Sequence, residues 1–328
     1  MNSTTEEVSV NVLVSEELPI DETTTWENVS STDGSSVHAR HEAGGAVVGG
    51  KIYVIGGRGR RPVDRFDPAK SLWAHFDRPS LEMNHFQPVA VYGQIYVIGA
   101  FTGTFPLETS ISRVRIYEPE KDRWSDGPLI PADRQRGSAG AAVYQGKIYI
   151  VGGNTRGHSG GAVAWLDQFD PQTGMWTRLP DAPHARDHVT VAIAGDYLVV
   201  AGGRQSDYPD TRSKTVAATD VYNFQTGEWK TADDIPTLRA GAMAVTHGNE
   251  VVIIGGETEA IQAHDEVESF NVLTQQWRKL QSLTTPRHGG IAASIGGNLH
   301  IISGNTTRGG GNETTAHESL QLPSTNLP

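Results

Sequence analysis

One short phrase recurs along the whole chain: a hydrophobic strand that ends in two small residues. It reads Lys51-Ile52-Tyr53-Val54-Ile55-Gly56-Gly57 and returns as Gln94-Ile95-Tyr96-Val97-Ile98-Gly99-Ala100 and as Lys147-Ile148-Tyr149-Ile150-Val151-Gly152-Gly153. Looser copies end at Gly202-Gly203, Gly255-Gly256 and Ser303-Gly304. Other positions keep step with it. Tryptophans at 26, 73, 124, 176, 229 and 277 lie 47, 51, 52, 53 and 48 residues apart. An aromatic residue precedes Trp by seven positions in five copies: Phe66, Tyr117, Phe169, Tyr222 and Phe270. An arginine precedes the small pair by sixteen positions in five copies, Arg40, Arg136, Arg186, Arg239 and Arg287; the second copy has Met83 there. Self-similarity at a period near fifty marks a repeat architecture.

Each copy reads as four strands. The first is small and apolar, as in Ala43–Val48 and Ala240–Val245. Glycine weakens an ordinary strand, so its recurrence here points to backbones crowding together near an axis. A glycine turn leads to the hydrophobic second strand, and a loop of variable length leads to the third, which carries the aromatic. Asp67-Pro68, Glu118-Pro119 and Asp170-Pro171 supply the next turn, and the fourth strand holds the Trp. A four-stranded unit of this length, with paired glycines and a spaced aromatic–Trp pair, resembles the kelch repeat, whose units form the blades of β-propellers.

The expected fold is therefore all-β: a six-bladed kelch-type β-propeller. The sixth copy has three strands and no Trp, whereas Trp26 arrives with no strands before it. The two defects complement each other, so the Trp26 segment is expected to supply the outer strand of the last blade and close the ring, leaving no open sheet edge. The expected organisation is an N-terminal tail over 1–23, one propeller over 24–323 and a C-terminal tail over 324–328. Within the first tail, Val8–Val14 alternates well enough to form an extra strand.

Composition narrows the function classes. The 328 residues contain no cysteine, which removes disulfides, thiolate metal sites and cysteine nucleophiles. A formal charge of −11 argues against nucleic acid as a partner, because phosphate binding needs a net basic surface. No apolar stretch approaches a membrane span, and residues 1–20 lack the basic start and apolar core of a signal peptide. A soluble monomer that binds neither nucleic acid nor membrane is expected.

Propeller geometry puts the start of every first strand, the end of every second strand and the variable loops on one face. The arginine set and the histidines beside it fall there. The five arginines either brace the blades, by bonding loop carbonyls and nearby Asp or Glu, or face a carboxylate, sulfate or phosphate. Candidate ligand-binding residues are Arg40, His41, Arg136, Arg186, Arg204, Arg239, Arg287, His288 and Asn154. Candidate catalytic residues are His85, His188, Asp187, Glu257 and Tyr208, since imidazole near neutral pH suits proton transfer and Asp187 or Glu42 can orient it. The histidines show no metal-binding spacing, so no metal and no cofactor are expected. The glycine-rich tract Gly157–Gly161 lacks a following Gly-Lys-Ser/Thr and reads as a mobile loop tip.

The kelch resemblance implies several unrelated functions. Similarity to the galactose oxidase propeller would imply a copper site built on a Tyr–Cys crosslink, which a cysteine-free chain cannot make. Similarity to nitrile-specifier proteins would imply an iron-binding Glu-x3-Asp-x3-His pattern, which is missing from the sequence. Size and layout resemble the bacterial stand-alone six-bladed kelch proteins, a group that includes N-acetylneuraminate mutarotase. That resemblance implies a small anionic ligand, an acidic sugar or other carboxylate, handled by acid–base isomerisation, epimerisation or elimination. The alternative is a non-enzymatic scaffold that grips an acidic peptide or loop.

Overall fold

Every small-residue stretch becomes the innermost strand of a four-stranded antiparallel sheet. The computed structural model describes residues 18–323 and contains six such blades. Blade one is Ala43–Val48, Lys51–Gly56, Val63–Asp67 and Leu72–Phe76, in that spatial order. Blade two begins with Val89–Val91, blade three with Gly140–Tyr144, blade four with Thr190–Ala194 and blade five with Met243–His247. In blade six, Ile291–Ile295, Asn298–Ile302 and His317–Gln321 are joined on the outside by Glu27–Asn28. Glu27 pairs with Ser319, so both ends of the chain share one sheet, as the complementary defects require. The innermost strands neighbour one another in chain order, and the last meets the first.

The small residues of the first strands answer to that crowding. A Cβ on Gly45 would stand 2.0 Å from Ile291 Cγ2 of the last blade. Farther out, the aromatic and Trp of each blade sit directly opposite each other in register, Phe66 with Trp73 and Phe169 with Trp176 among them, with ring centroids 4.8–5.1 Å apart. These rings seal each sheet against the next.

The expected tail engages the ring earlier than residue 24. Ile20 is buried in the cluster formed by Trp26, Leu280 and Leu283, and its carbonyl accepts from Arg278 Nη1 at 2.7 Å. Trp26 Nε1 donates to the Gln281 carbonyl at 2.9 Å. The strand expected at Val8–Val14 and the tail at 324–328 lie outside the described residues.

Candidate functional site

The five repeated arginines do not reach the mouth. Arg40, Arg136, Arg186, Arg239 and Arg287 are each at most 2% exposed. Each pairs with a carboxylate on the third strand of its own blade: Arg40 with Asp64 at 2.5 Å, Arg136 with Asp167 at 2.8 Å, Arg186 with Asp220 at 2.6 Å, Arg239 with Glu268 at 2.6 Å, and Arg287 with Glu318. Their remaining N–H groups donate to blade carbonyls; Arg186 Nη1, for example, reaches Gly202 at 2.9 Å and Ala218 at 2.7 Å. The expectation that they contact a ligand is corrected on this geometry: they are braces. The signal lay in the sequence. The acid stands two residues before the third-strand aromatic, or before Leu320 in blade six. Blade two, which lacks the arginine, has Arg115 there in place of the acid.

The mouth is shaped one turn closer to the axis. Glu42, His85, Ser138, His188, Gly241 and Gly289 hold the same repeat position, and all six have φ between 49° and 61°. Left-handed backbone suits the two glycines and strains the other four. Backbone bonds link neighbours round the axis: His85 N donates to Glu42 O, Ser138 N to His85 O, Gly241 N to His188 O and Gly289 N to Gly241 O. Between Ser138 and His188 the link runs through the Ser138 hydroxyl at 2.9 Å. This belt carries side chains into the channel at angles set by the blade count.

Above the belt lies a cavity of about 470 Å³ lined by His41, Glu42, Arg58, Glu82, His85, Phe105, His158, Arg204, Arg212, Glu257 and the Gly309–Gly310 backbone. A narrower space of about 50 Å³ shares Glu42 and His85 with it and adds His188. Six carboxylates (Glu42, Glu82, Glu108, Asp187, Glu257 and Glu313) line the cavity or hold an imidazole beside it, and three guanidiniums (Arg58, Arg204 and Arg212) line it. Arg58 is bound to Glu108 at 2.5 Å and Arg204 to Glu257 at 2.5 Å. The Arg212 guanidinium makes no hydrogen bond among the described residues, and its Nε stands 3.6 Å from Glu257, close enough for an ion pair.

Three imidazoles converge here. The ring centroids of His85, His158 and His188 lie 4.7–5.0 Å apart. Each Nδ1 is held from outside: His85 by Asn84 Oδ1 at 2.7 Å, His158 by Glu108 at 3.0 Å and His188 by Asp187. Asn84 is itself oriented by donating to Glu82 at 2.7 Å, and Asp187 receives Ser206 N at 2.8 Å and Oγ at 2.7 Å. Burial, together with the positive charge of Arg204, lowers His188 to about 4 despite Asp187. Burial and the neighbouring His188 push His85 well below the usual imidazole range. Burial raises the carboxyls, but donors and charges outweigh it. Glu108 falls to about 2 beside His158 and Arg58, and Asp187 falls to about 2 beside His188 and Arg204. Glu257 is likewise held well below its usual range, chiefly by His288 and Arg204.

Glu42 differs from these. Its side chain receives no hydrogen bond among the described residues; the nearest nitrogens are His85 Nε2 at 3.4 Å and His288 Nδ1 at 3.6 Å. Burial raises its pKa, but His288, His41 and His188 together hold it below the ordinary value. It is an ionised carboxylate with free lone pairs beside the cavity.

The other expected site residues divide. His85, His188 and Asp187 come together, and Glu257, Arg204 and His41 stand round the cavity; His41 Nδ1 is tied to Glu313 at 2.7 Å. His288 is buried behind the wall and donates from Nε2 to the carbonyls of Thr307 and Gly309. Asn154 is buried, its side-chain amide without a hydrogen-bond partner among the described residues. Tyr208 is 53% exposed at the rim, 5.9 Å from the Phe105 ring, and does not line the cavity; its expected catalytic place is corrected. His158 is expected from the sequence on a long loop of this face, within a tract that reads as a mobile tip. It is instead buried, on a 3-10 turn spanning Gly157–Ser159, with Glu108 as its partner from the loop of the neighbouring blade. Arg58, Glu108 and Arg212 were not singled out at all.

Six four-stranded blades, five of them braced by the same Arg–carboxylate pair and the last closed by both chain ends, define a six-bladed β-propeller of kelch type. The model of the KLHDC2/KLHL20/DRC7 Kelch-repeats domain matches residues 138–320, and the chain belongs to the kelch-repeat family. Kelch-like protein terF of Aspergillus terreus is 30% identical over 238 residues, covering 67% of this chain and 50% of terF. Kelch-like protein 25 of Xenopus tropicalis is 27% identical over 233 residues, covering 66% of this chain and 37% of that protein. The chain thus spans half or less of the length of these relatives. Among solved structures, that of YjhT superimposes with a TM-score of 0.73 at 17% identity, covering 87% of this chain and 98% of YjhT, a likeness of fold. No helix among the described residues is long and apolar enough to cross a membrane.

Proposed function

We propose that the chain binds a small polar molecule with one acidic group, such as an acidic sugar, in the 470 Å³ cavity, and moves a proton on it. One observation carries this reading: an ionised carboxylate, Glu42, lines the same cavity as the Arg212 guanidinium, and neither side chain makes a hydrogen bond among the described residues. Arg212 anchors the acid group of the ligand, and Glu42 acts as the general base. The volume suits a monosaccharide-sized ligand. This places the anion contact on Arg212 rather than on the braced arginines. Isomerisation or epimerisation is the reaction class that such a base supports.

A thermal-shift screen of uronic and sialic acids beside their neutral counterparts tests the binding, and proton exchange followed by NMR tests the chemistry. Acidic ligands should raise the melting temperature and Arg212→Gln should abolish that rise. Glu42→Gln should retain binding and lose exchange. A flat screen, or shifts unchanged by Arg212→Gln, would sink the reading.

A second reading rests on the rim, where Phe105, Leu107 and Tyr208 are 46%, 74% and 53% exposed. Exposed apolar side chains beside a mouth suit a protein partner whose loop enters the cavity. Loss of a pulled-down partner on Leu107→Asp, with a flat small-molecule screen, would favour it.

A further inference from the structure

His85 and His188, expected as catalytic residues, and His158 converge beside Glu42 but are not needed as acid or base once Glu42 takes the proton. Neutral imidazoles packed against each other gain little as a structural core, and His188 Nε2 is buried with no hydrogen-bond partner among the described residues, in a side chain only 1% exposed. An unpaired buried nitrogen is costly unless something occupies its lone pair.

We propose that His85, His158 and His188 form a binding site for a divalent first-row transition ion, zinc being the first to test, with its open position toward the cavity. One ring nitrogen from each lies within 4.8 Å of the other two. All three Nδ1 atoms are taken by outward partners, two of them carboxylates, so the remaining lone pairs belong to the Nε2 atoms. A ligating histidine is commonly held in this way, its second nitrogen bound to a carboxylate or carbonyl that sets tautomer and ring orientation. A metal–nitrogen length of about 2.0–2.1 Å requires nitrogens roughly 3.4 Å apart, so from separations of up to 4.8 Å the rings must draw together when the ion binds.

Two further observations agree. His85 and His188 stand at φ of 51° and 49°, a position that blades five and six fill with glycine. Imidazole is kept there in spite of that strain, which marks a functional constraint. The excess of carboxylates over guanidiniums round the cavity also favours a cation. Three neutral nitrogens with an open position suit zinc or a similar borderline ion, and the open position would take an oxygen donor from water or ligand. The other cluster of this kind among the described residues, His38, Asp64 and His75, is a poorer competitor. Both its imidazoles are largely exposed and its Asp64 is already committed to Arg40.

The test uses the full chain, stripped with a chelator. Zn²⁺ is titrated against a chromophoric competitor, and Co²⁺ is followed through its visible d–d bands. Wild type should bind one equivalent and show the intense bands of low-coordinate Co²⁺. His188→Gly and His158→Gln should each weaken Zn²⁺ by more than about 100-fold, and the positioning variant Asp187→Asn by about 10–100-fold. His38→Asn/His75→Asn should change nothing. His188→Gly installs the residue that two other blades already carry, so its melting temperature should hold; His158→Gln, on a loop, provides the independent check. The proposal is overturned if the folded wild type binds no Zn²⁺, if both ligand variants bind as before, or if only the His38/His75 variant loses the ion. No organic ligand enters these measurements. Metal binding with a flat sugar screen would therefore keep this inference and reject the acid-sugar reading, and the converse result would do the opposite.

Discussion

Replacing Arg186 by methionine tests the brace. The change removes a guanidinium that is 1% exposed, bonded to Asp220 at 2.6 Å and to the carbonyls of Gly202 and Ala218. Removing one partner of a buried ion pair costs about 3–5 kcal/mol, because the other charge stays behind without compensation. Each orphaned carbonyl adds up to about 1–3 kcal/mol, but these terms overlap and do not sum. Asp220 also keeps bonds from His184 Nδ1 at 3.0 Å and Thr231 Oγ1 at 2.9 Å, which limits the damage. The expected loss is thus about 3–5 kcal/mol. Urea unfolding followed by tryptophan fluorescence measures it. Arg186→Met/Asp220→Leu should recover part of the loss, since an apolar pair can replace a buried ion pair nearly neutrally. Blade two is a natural precedent, with Met83 and Arg115 where the other blades have arginine and acid. A loss under about 1 kcal/mol, the worth of a surface pair, or Zn²⁺ or ligand binding lost at unchanged stability, would refute the reasoning.

Two other perturbations probe the packing. His300 and His317 are buried partners, Nδ1 to Nε2 at 2.9 Å, with His317 against Phe66 and Trp73 and within the field of Arg287. Burial lowers them to about 4 and about 3, so between these values and an unfolded pKa of about 6.5 the unfolded chain binds protons that the folded chain refuses. Stability from this pair is full above pH 6.5 and is lost as pH falls, by about 1–2 kcal/mol per histidine by pH 5. His300→Leu/His317→Phe should flatten the pH dependence of the urea midpoint, and parallel profiles would contradict the assignment. At the axis, Gly45→Ala should destabilise by about 1–3 kcal/mol through its clash with Ile291. Ile291→Ala should partly rescue that variant, and additive losses in the double variant would reject the contact as the cause.

Much of the architecture was legible because it is local and repeated. Strand alternation, glycine turns and the aromatic–Trp spacing each depend on a few neighbouring residues, and six copies make the pattern unambiguous. Even ring closure could be read, because the missing outer strand and the stray Trp26 complement each other. The brace was legible too, as one of two readings of the arginine set, and the acid two residues before Phe66, Phe169, Tyr222 and Phe270 is the signal that decides between them.

The mouth was another matter. His85, His158 and His188 come from three different blades, and Glu108 reaches His158 from a loop of its neighbour. The sequence by itself determined six blades and their order, because each follows from short-range hydrogen bonding and apolar spacing, and their closure, because the two incomplete end copies complement each other. Only the tertiary structure decided which polar side chains meet, because the angle between blades and the inward fold of two loops, neither encoded in any one repeat, set the distances across the channel.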